Sequence, residues 1–390
     1  MSSLPEVRLT AKGLRWRRSG HPWIYRNDLE NVPDSLLSGD LVPVFDPGGN
    51  FLGQAFYSGA SRIALRFVTS GAEPVDGTFW EGRLERALAY RQRIVADTDA
   101  CRLIYGEADG FPGLVLDSYA GHLALQTLHP GLERRLAEII EMLLARLNPA
   151  SLTLRHDAEV RLQEGLPLLV QTVYGDLPPR VEVREGAVRL WVDVKNGQKT
   201  GLFLDQRENR LAAASLSRGE VLDAFAYQGG FAMHLAPRAQ RVTLVETSEA
   251  ALALARENAR LNGYDNFEPI KTNVFGYLKK AGTEGRRFDF IVLDPPAFAK
   301  SRQDRPAAIR GYREINRRAL QLLKAGGVLL TCSCSYNLSE SEFLEVVRQA
   351  AASAGRPVRL VERRGAARDH PALLALPESL YLKCLILEVD

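Results

Sequence analysis

The last 210 residues of the chain repeat one pattern: a short run of apolar β-formers, a turn, then an amphipathic stretch with helical spacing. The runs EVLDAF, RVTLVE, FDFIVLD and GGVLLTCS are continuously apolar, the mark of strands buried on both faces. Between them lie stretches such as SEAALALARENARLNG, opened by Thr247-Ser248 and closed at Gly263. This alternation predicts an α/β fold with an open, mostly parallel, Rossmann-like sheet whose ligands bind at the carboxyl ends of the strands. Two late apolar runs, PVRLVE and SLYLKCLILEV, add a final pair and, with a further strand expected just before Asn273, bring the sheet to seven strands. Asn196-Gly197 between VRLWVDV and KTGLFL predicts a hairpin ahead of the sheet. Asp205, three residues before Glu208, predicts a capping-box-like start for QRENRLAAASL, with Gly219 as its end.

The rest of the chain divides differently. Residues 1–72 show short strands with turn signals at Pro47-Gly48-Gly49 and Ser58-Gly59, as in a small β-barrel. Residues 73–180 read as a mixed α/β middle domain: a helix near Thr78 to Ala96, the strands CRLIYG, GLVLDSY and HLALQTL, and the helix LERRLAEIIEMLLARL. Pro178-Pro179 marks a linker, and residues 181–390 form the last domain.

The net charge of +3 hides an uneven distribution. Arg8, Lys12, Arg15, Arg17, Arg18 and Arg26 occur with no acid among them, and residues 297–318 carry a net +5, so the remainder of the chain is acidic by −8. Clustered charge is what counterion release rewards, so both segments are candidate phosphate-contacting surfaces, with a solvated charged face as the alternative. Trp16, His21, Trp23 and Tyr25 interleave with the first cluster, an arrangement suited to stacked bases; packing in the core is the alternative for the tryptophans. Four cysteines in 390 residues, at 101, 332, 334 and 384, give neither a disulfide framework nor a zinc spacing, and the histidines show no metal spacing; the expected metal complement is none and the expected compartment a reducing cytoplasm. No signal-peptide apolar region and no membrane-length run is expected.

The first strand of the sheet ends in Asp223-Ala224-Phe225-Ala226-Tyr227-Gln228-Gly229-Gly230-Phe231, without the G-x-G-x-x-G of a dinucleotide site. A carboxylate at the strand end suits a ligand bearing an ammonium and no phosphate, such as S-adenosylmethionine. Glu246 ends the second strand, where an acid can take both ribose hydroxyls, and Asn273 after the third would lie beside the adenine. Helix capping is the alternative for either acid.

The fourth strand ends in Asp294-Pro295-Pro296, a rigid turn that presents carbonyls and a carboxylate to the crevice. That motif also suits methylation of an exocyclic amine. The fifth strand adds Cys332 and Cys334, and a thiol there points to pyrimidine chemistry: carbon 5 is a poor nucleophile until a thiolate adds at carbon 6. Cys334, nearer the strand end, is the expected nucleophile; Cys332, Cys101 and Cys384 are expected to pack. A non-catalytic RNA-binding assembly factor on the same fold also remains open.

On Gly197-Gln198-Lys199-Thr200-Gly201-Leu202-Phe203-Leu204-Asp205-Gln206-Arg207, the Asp223–Phe231 loop, Asp294-Pro295-Pro296-Ala297-Phe298, Arg310-Gly311-Tyr312 and Ser333-Cys334-Ser335, the chain resembles the class I methyltransferases of the large-subunit (23S) ribosomal RNA cytosine-C5 type, whose N-terminal segment is a PUA domain. The resemblance covers essentially the whole chain. It implies S-adenosylmethionine as donor, a cytosine of 23S ribosomal RNA as acceptor, and Cys334 as nucleophile with Asp294 on the N3 and N4 edge. Cofactor contacts are expected from Gln198, Lys199, Thr200, Phe203, Asp205, Arg207, Asp223, Tyr227, Gly229, Gly230, Glu246, Asn273, Val274, Asp294 and Pro295. RNA contacts are expected from Lys12, Arg15, Arg17, Arg18, Lys300, Arg310 and Tyr312, with Lys300 or a neighbouring Arg as the group that lowers the thiol's pKa. A homodimer is compatible with the resemblance, and no membrane partner is expected. Two positions depart from the pattern: Ala297 stands where other RNA cytosine-C5 methyltransferases carry a second cysteine, leaving Asp294 or a water to take the carbon-5 proton, and Asn273 stands where Asp is usual.

Overall fold

The computed structural model describes residues 5–299, 301 and 303–390, which fall into two compact units. The first comprises the chain up to Val183, Val192–Phe203 and Asp369–Ser379; the second comprises Arg184–Trp191, Leu204–Arg368 and Leu380–Asp390.

The first unit holds two sheets. Six short strands between Val7 and Phe67 form one, with Phe51–Tyr57 paired to both Leu41–Phe45 and Ile63–Phe67. Their alternating burial encloses a core of Val7, Leu9, Ile24, Val42, Val44, Ala55, Ala64 and Leu65. The second sheet has five strands, in the order Leu169–Gly175, Ser151–His156, His122–Thr127, Leu114–Tyr119 and Ala100–Tyr105, and its core also takes in Phe56, Trp80 from the helix Gly77–Ile94, and Ile139 and Leu143 from Leu136–Leu147. Not foreseen from the sequence is a helix over Ala11–Arg18, capped by Thr10, whose Oγ1 accepts the Gly13 N–H at 3.1 Å. Its only buried residue is Gly13, where a Cβ would lie 2.5 Å from Asp28 O, so there is no apolar stripe to announce it.

The second unit is built on the seven-stranded sheet: β1 Gly219–Ala224, β2 Ala239–Glu246, β3 Phe267–Lys271, β4 Phe288–Leu293, β5 Leu323–Ser333, β6 Val358–Arg364 and β7 Lys383–Val389. The order is β3-β2-β1-β4-β5-β7-β6, parallel except for β7, which is antiparallel to both β5 and β6. The expected Rossmann-like sheet with its closing pair is therefore present. Helix α1 Arg207–Leu216 leads into β1, and helices α2 Gly230–Leu235, α3 Glu249–Leu261, α4 Val274–Thr283, α5 Arg305–Leu322 and α6 Glu340–Ala354 connect successive strands from β1 to β6. Ser248 caps α3 by accepting the Ala251 N–H, and Ser339 and Glu342 form a full capping box on α6.

Two local expectations are corrected. The hairpin lies earlier than Asn196-Gly197: Val181–Glu185 pairs with Val188–Val192 around Gly186, whose φ is +61°. Asn196 instead follows an Asx turn in which Asp193 Oδ1 accepts its N–H at 2.7 Å, and no strand follows. Asp205 does not cap α1: Gln206 is the N-cap, without a side-chain bond, and Asp205 Oδ2 accepts the Tyr381 hydroxyl at 2.5 Å. Gly219, at φ +57°, begins β1 rather than ending the helix.

Candidate active site

The β1–α2 connection carries three residues with positive φ: Phe225 at 66°, Tyr227 at 48° and Gly229 at 78°. For two aromatic residues the left-handed region costs about 1 kcal/mol or more each, so neighbouring structure must hold them there. The end of β2 does so. Val245 O accepts the N–H groups of Phe225 and Ala226, at 3.0 and 3.2 Å, and Glu246 Oε2 accepts the Tyr227 N–H at 3.0 Å. Gly229 is required by its own φ and by packing, since a Cβ there would lie 3.0 Å from Met233 Cε and 3.2 Å from Leu244 Cδ2. Gly230 starts α2 against Arg210.

Asp223 is 1% exposed and accepts the Ala232 N–H at 2.9 Å, so it does cap α2. Burial, reinforced by the charges of Asp294 and Glu246, pushes its carboxyl up to about 8 against the pull of Ala232 N–H and Arg210. A cluster of three carboxylates at adjoining strand ends is a poor anion site and a good one for a cation. Glu246 is oriented by more backbone than the sequence suggested. Its Oε1 accepts the Thr247 N–H at 2.7 Å, the Thr247 hydroxyl at 3.0 Å and the Ser248 N–H at 3.0 Å. The expected grip on two ribose hydroxyls is thereby narrowed to Oε2. Asn273 is the N-cap of α4, accepting the Phe275 N–H at 2.9 Å, and is exposed; Val274, 2% exposed, belongs to the core.

Sequence reasoning missed Gln228. Its side chain is 1% exposed, and neither Oε1 nor Nε2 has a hydrogen-bond partner among the described residues. A buried unsatisfied amide costs on the order of 1–3 kcal/mol, which marks the loop as built for something besides stability. The only sequence signal was a polar residue between the strained aromatics and the paired glycines.

Asp294 follows β4, next to β1 in the parallel register, and its Oδ1 accepts Gln206 Nε2 at 2.9 Å. Cys334 lies one residue past β5, half-buried, with Sγ 3.9 Å from Pro295 O. Cys332 faces Cys384 across the β5–β7 register, both are buried, and burial raises the Cys332 thiol well above its ordinary value. None of the four cysteines is in a disulfide, and Cys101 is half-buried rather than buried. The residue after Cys334 is tightly held: Ser335 Oγ lies 2.9 Å from the Tyr312 hydroxyl and accepts the Ala299 N–H at 3.2 Å. Lys383 Nζ donates to Ser335 O at 2.7 Å.

Several expected contacts are corrected. Tyr312 is fully buried on α5, so its ring supports the Cys334 segment and cannot touch RNA. Arg17 donates to Ser70 Oγ at 2.6 Å and Leu52 O at 3.3 Å and stacks 3.9 Å over Phe67, so it holds the N-terminal sheet together. Lys12 pairs with the buried Asp28 at 2.9 Å, though the lysine itself is well exposed. Arg15, Arg18 and Arg310 are exposed, and none has an ion-pair partner among the described residues. Lys300 lies outside the described residues. Trp16 is 40% exposed, whereas Trp23 donates to Glu107 Oε1 at 2.7 Å and stacks with Arg66. Gln198, Lys199, Thr200 and Phe203 belong to the first unit. There Thr200 is buried, donating to Asp117 Oδ2 at 2.5 Å and lying 2.8 Å from the Tyr119 hydroxyl, and Lys199 sits 4.5 Å over the Phe203 ring. Asp205 and Arg207 are buried in the second unit, Arg207 lying 3.7 Å from Glu208.

Residues 7–70 match a PUA-like domain, and residues 172–382 match an S-adenosylmethionine-dependent methyltransferase family. The ribosomal RNA large subunit methyltransferase I of Aeromonas hydrophila is 41% identical over 376 residues, covering 94% of each chain. That of Klebsiella pneumoniae (strain 342) is 39% identical over 371 residues, covering 93% of each. Among solved structures, an S-adenosylmethionine-dependent methyltransferase from Streptococcus mutans superposes with a TM-score of 0.84 at 20% identity, over 98% of this chain and all of the other, a likeness of fold. No group of metal-holding side chains occurs among the described residues, and no helix among them is long and apolar enough to cross a membrane.

Proposed function

Because the chain belongs to the ribosomal RNA large subunit methyltransferase I family of S-adenosylmethionine-dependent methyltransferases, we propose that it methylates carbon 5 of a cytosine in 23S ribosomal RNA, with Cys334 as the attacking thiol. The observation that carries this reading is the position of the Cys334 thiol, half-buried beside the Pro295 carbonyl at the carboxyl edge of the sheet, with Asp294 at the end of the adjoining strand. Amine methylation does not call for a thiol there.

The residues at the strand ends fit the cofactor. Asp223 is a buried carboxylate crowded by two others, and a ligand bearing ammonium and sulfonium charges relieves that crowding. Asp223, Tyr227 and Gln228 of the strained loop would hold its charged arm, Glu246 Oε2 a ribose hydroxyl, and the Asn273–Val274 turn its adenine. S-adenosylmethionine supplies an electrophilic methyl group. Cys334 adds to carbon 6 of the flipped cytosine, which places electron density on carbon 5. The Gln206 amide fixes the plane of the Asp294 carboxyl, so that this group can bind the N3 and N4 edge while charge develops at N3. With Ala297 after the proline pair, Asp294 or a water it orients takes the carbon-5 proton, the carbon 5–carbon 6 double bond re-forms, and Cys334 leaves as its thiolate.

The domain division at residues 72 and 180 assigns the PUA-like domain and the middle domain to RNA docking. Exposed Arg15, Arg18 and Trp16 in the first, and Arg310 on α5 in the methyltransferase domain, are the contacts this reading uses. Four cysteines outside any disulfide suit a reducing cytoplasm. Transfer of labelled methyl to unmodified 23S ribosomal RNA, followed by nucleoside analysis, tests the assignment: 5-methylcytidine is expected, and label in an N-methylated nucleoside would replace it with amine chemistry.

A further inference from the structure

Lys383 opens β7, is 4% exposed, and faces Ser333 in the antiparallel register with β5. A buried ammonium needs acceptors, and those it has among the described residues are two backbone carbonyls: Ser335 O at 2.7 Å and Tyr381 O at 2.8 Å. Dipoles solvate the charge there without neutralising it. The first carbonyl belongs to the residue immediately after Cys334, so the lysine is clamped to the backbone of the thiol it neighbours. Ser335 is in turn fixed by Tyr312 and the Ala299 N–H, so this spacing cannot drift. A lysine needed only for stability in such a place would be replaced with advantage by an apolar side chain.

The charged and titratable groups around the pair come from each packed element. Cys332 and Cys334 lie on or just past β5, Tyr312 on α5, Asp294 after β4, and Glu340 at the start of α6. Burial lowers Lys383 to about 8, while the negative charges of a Cys334 thiolate and of Glu340 favour its ammonium form. Asp294, an acid, opposes a thiolate, whereas the Lys383 ammonium, held on the carbonyl of the residue after Cys334, favours one.

We propose that Lys383 is the positioning residue that arms Cys334: when the thiol S–H breaks and its proton leaves to solvent water, the Lys383 ammonium, clamped to the carbonyl of the next residue, stays as the counter-charge of the thiolate. The role expected from the sequence for Lys300 or a neighbouring Arg thus passes to a residue of the last strand. This inference rests on the reading of Cys334 as nucleophile.

The test is the rate of iodoacetamide alkylation of Cys334 in the full chain against pH, read on the Cys334 peptide by mass spectrometry. In the unsubstituted protein the midpoint falls below the ordinary thiol value of about 8.5. Lys383→Met raises the midpoint by at least a unit and slows alkylation at pH 7 about tenfold, and Lys383→Arg, which keeps the charge, restores the low midpoint. A midpoint at or above 8.5 in the unsubstituted protein overturns the proposal even if Lys383→Met does not fold, and so does an unmoved midpoint in a folded Lys383→Met. Methyl transfer by Cys334→Ala is measured separately. Full transfer there would remove the nucleophile reading while leaving the ion pair to be judged by its alkylation profile.

Discussion

Gln206 Nε2 donates to Asp294 Oδ1 at 2.9 Å, joining the turn before α1 to the end of β4. Because the same glutamine accepts Asn209 Nδ2 at 2.7 Å, its amide cannot rotate without breaking a second bond. Gln206→Leu should therefore release the Asp294 carboxyl. A hydrogen bond to a charged group is worth about 1.5–3 kcal/mol, so kcat is expected to fall roughly tenfold to hundredfold with KM for RNA little changed. Steady-state kinetics at saturating cofactor would show this split; a pure KM effect would mean that the bond serves RNA binding.

If Asp223 holds the cofactor as proposed, its carboxyl links cofactor binding to pH. Its carboxyl is raised in the folded protein, so the fold holds this proton more tightly than the unfolded chain does. The stability it contributes is complete below about pH 4 and is lost as pH rises toward about 8, the value it takes in the folded chain. A cationic ligand reverses the preference by favouring the ionised form. Calorimetric affinity for S-adenosylmethionine should thus rise from pH 6 to pH 8, by up to about tenfold per unit, and level off above. Asp223→Asn should bind weakly and without that slope.

The basic helix Ala11–Arg18 separates two kinds of arginine. Arg15 and Arg18 are exposed, whereas Arg17 is bonded to Leu52 O and Ser70 and stacked on Phe67. Arg15→Ala and Arg18→Ala should each weaken RNA binding and reduce the salt slope by about one ion, leaving Tm unchanged. Arg17→Ala should lower Tm instead. Filter binding across a salt series, paired with thermal melts, distinguishes the two.

Tyr312→Phe removes the hydroxyl 2.9 Å from Ser335 Oγ without opening a cavity. About 1 kcal/mol of stability should be lost, with RNA affinity unchanged, because the ring is buried. Cys332→Ala should cost about 1–2 kcal/mol and leave methyl transfer intact. Denaturant unfolding and a methyl-transfer assay on the same preparations check both.

Much of the catalytic sheet was legible because its strands are buried on both faces and so read as continuous apolar runs; Asp223, Glu246, Asp294 and Cys334 could be placed at strand ends by counting along them. What escaped reading has physical causes. The helix Ala11–Arg18 buries a single glycine, so no periodic stripe exists. Tyr312 is expected as an RNA contact by the family resemblance alone, yet the helix turns it inward onto Ser335, a direction that only the packing of the folded chain sets. Asp205 has the spacing of a capping box, but the Tyr381 hydroxyl, 176 residues away in sequence, claims its carboxylate. Lys383 and Gln228 owe their interest to burial and to partners set by strand register and loop strain, which local sequence does not encode.

The central claim, attack by Cys334 on a cytosine bound for carbon-5 methylation, is tested most directly with a ribosomal RNA substrate containing 5-fluorocytidine. Fluorine at carbon 5 blocks the final proton loss, so the adduct cannot resolve. The account predicts an RNA–protein adduct that forms only with S-adenosylmethionine present, maps by mass spectrometry to Cys334, and is absent in Cys334→Ala. An adduct on another residue, or full methyl transfer by Cys334→Ala with no adduct at all, would contradict it.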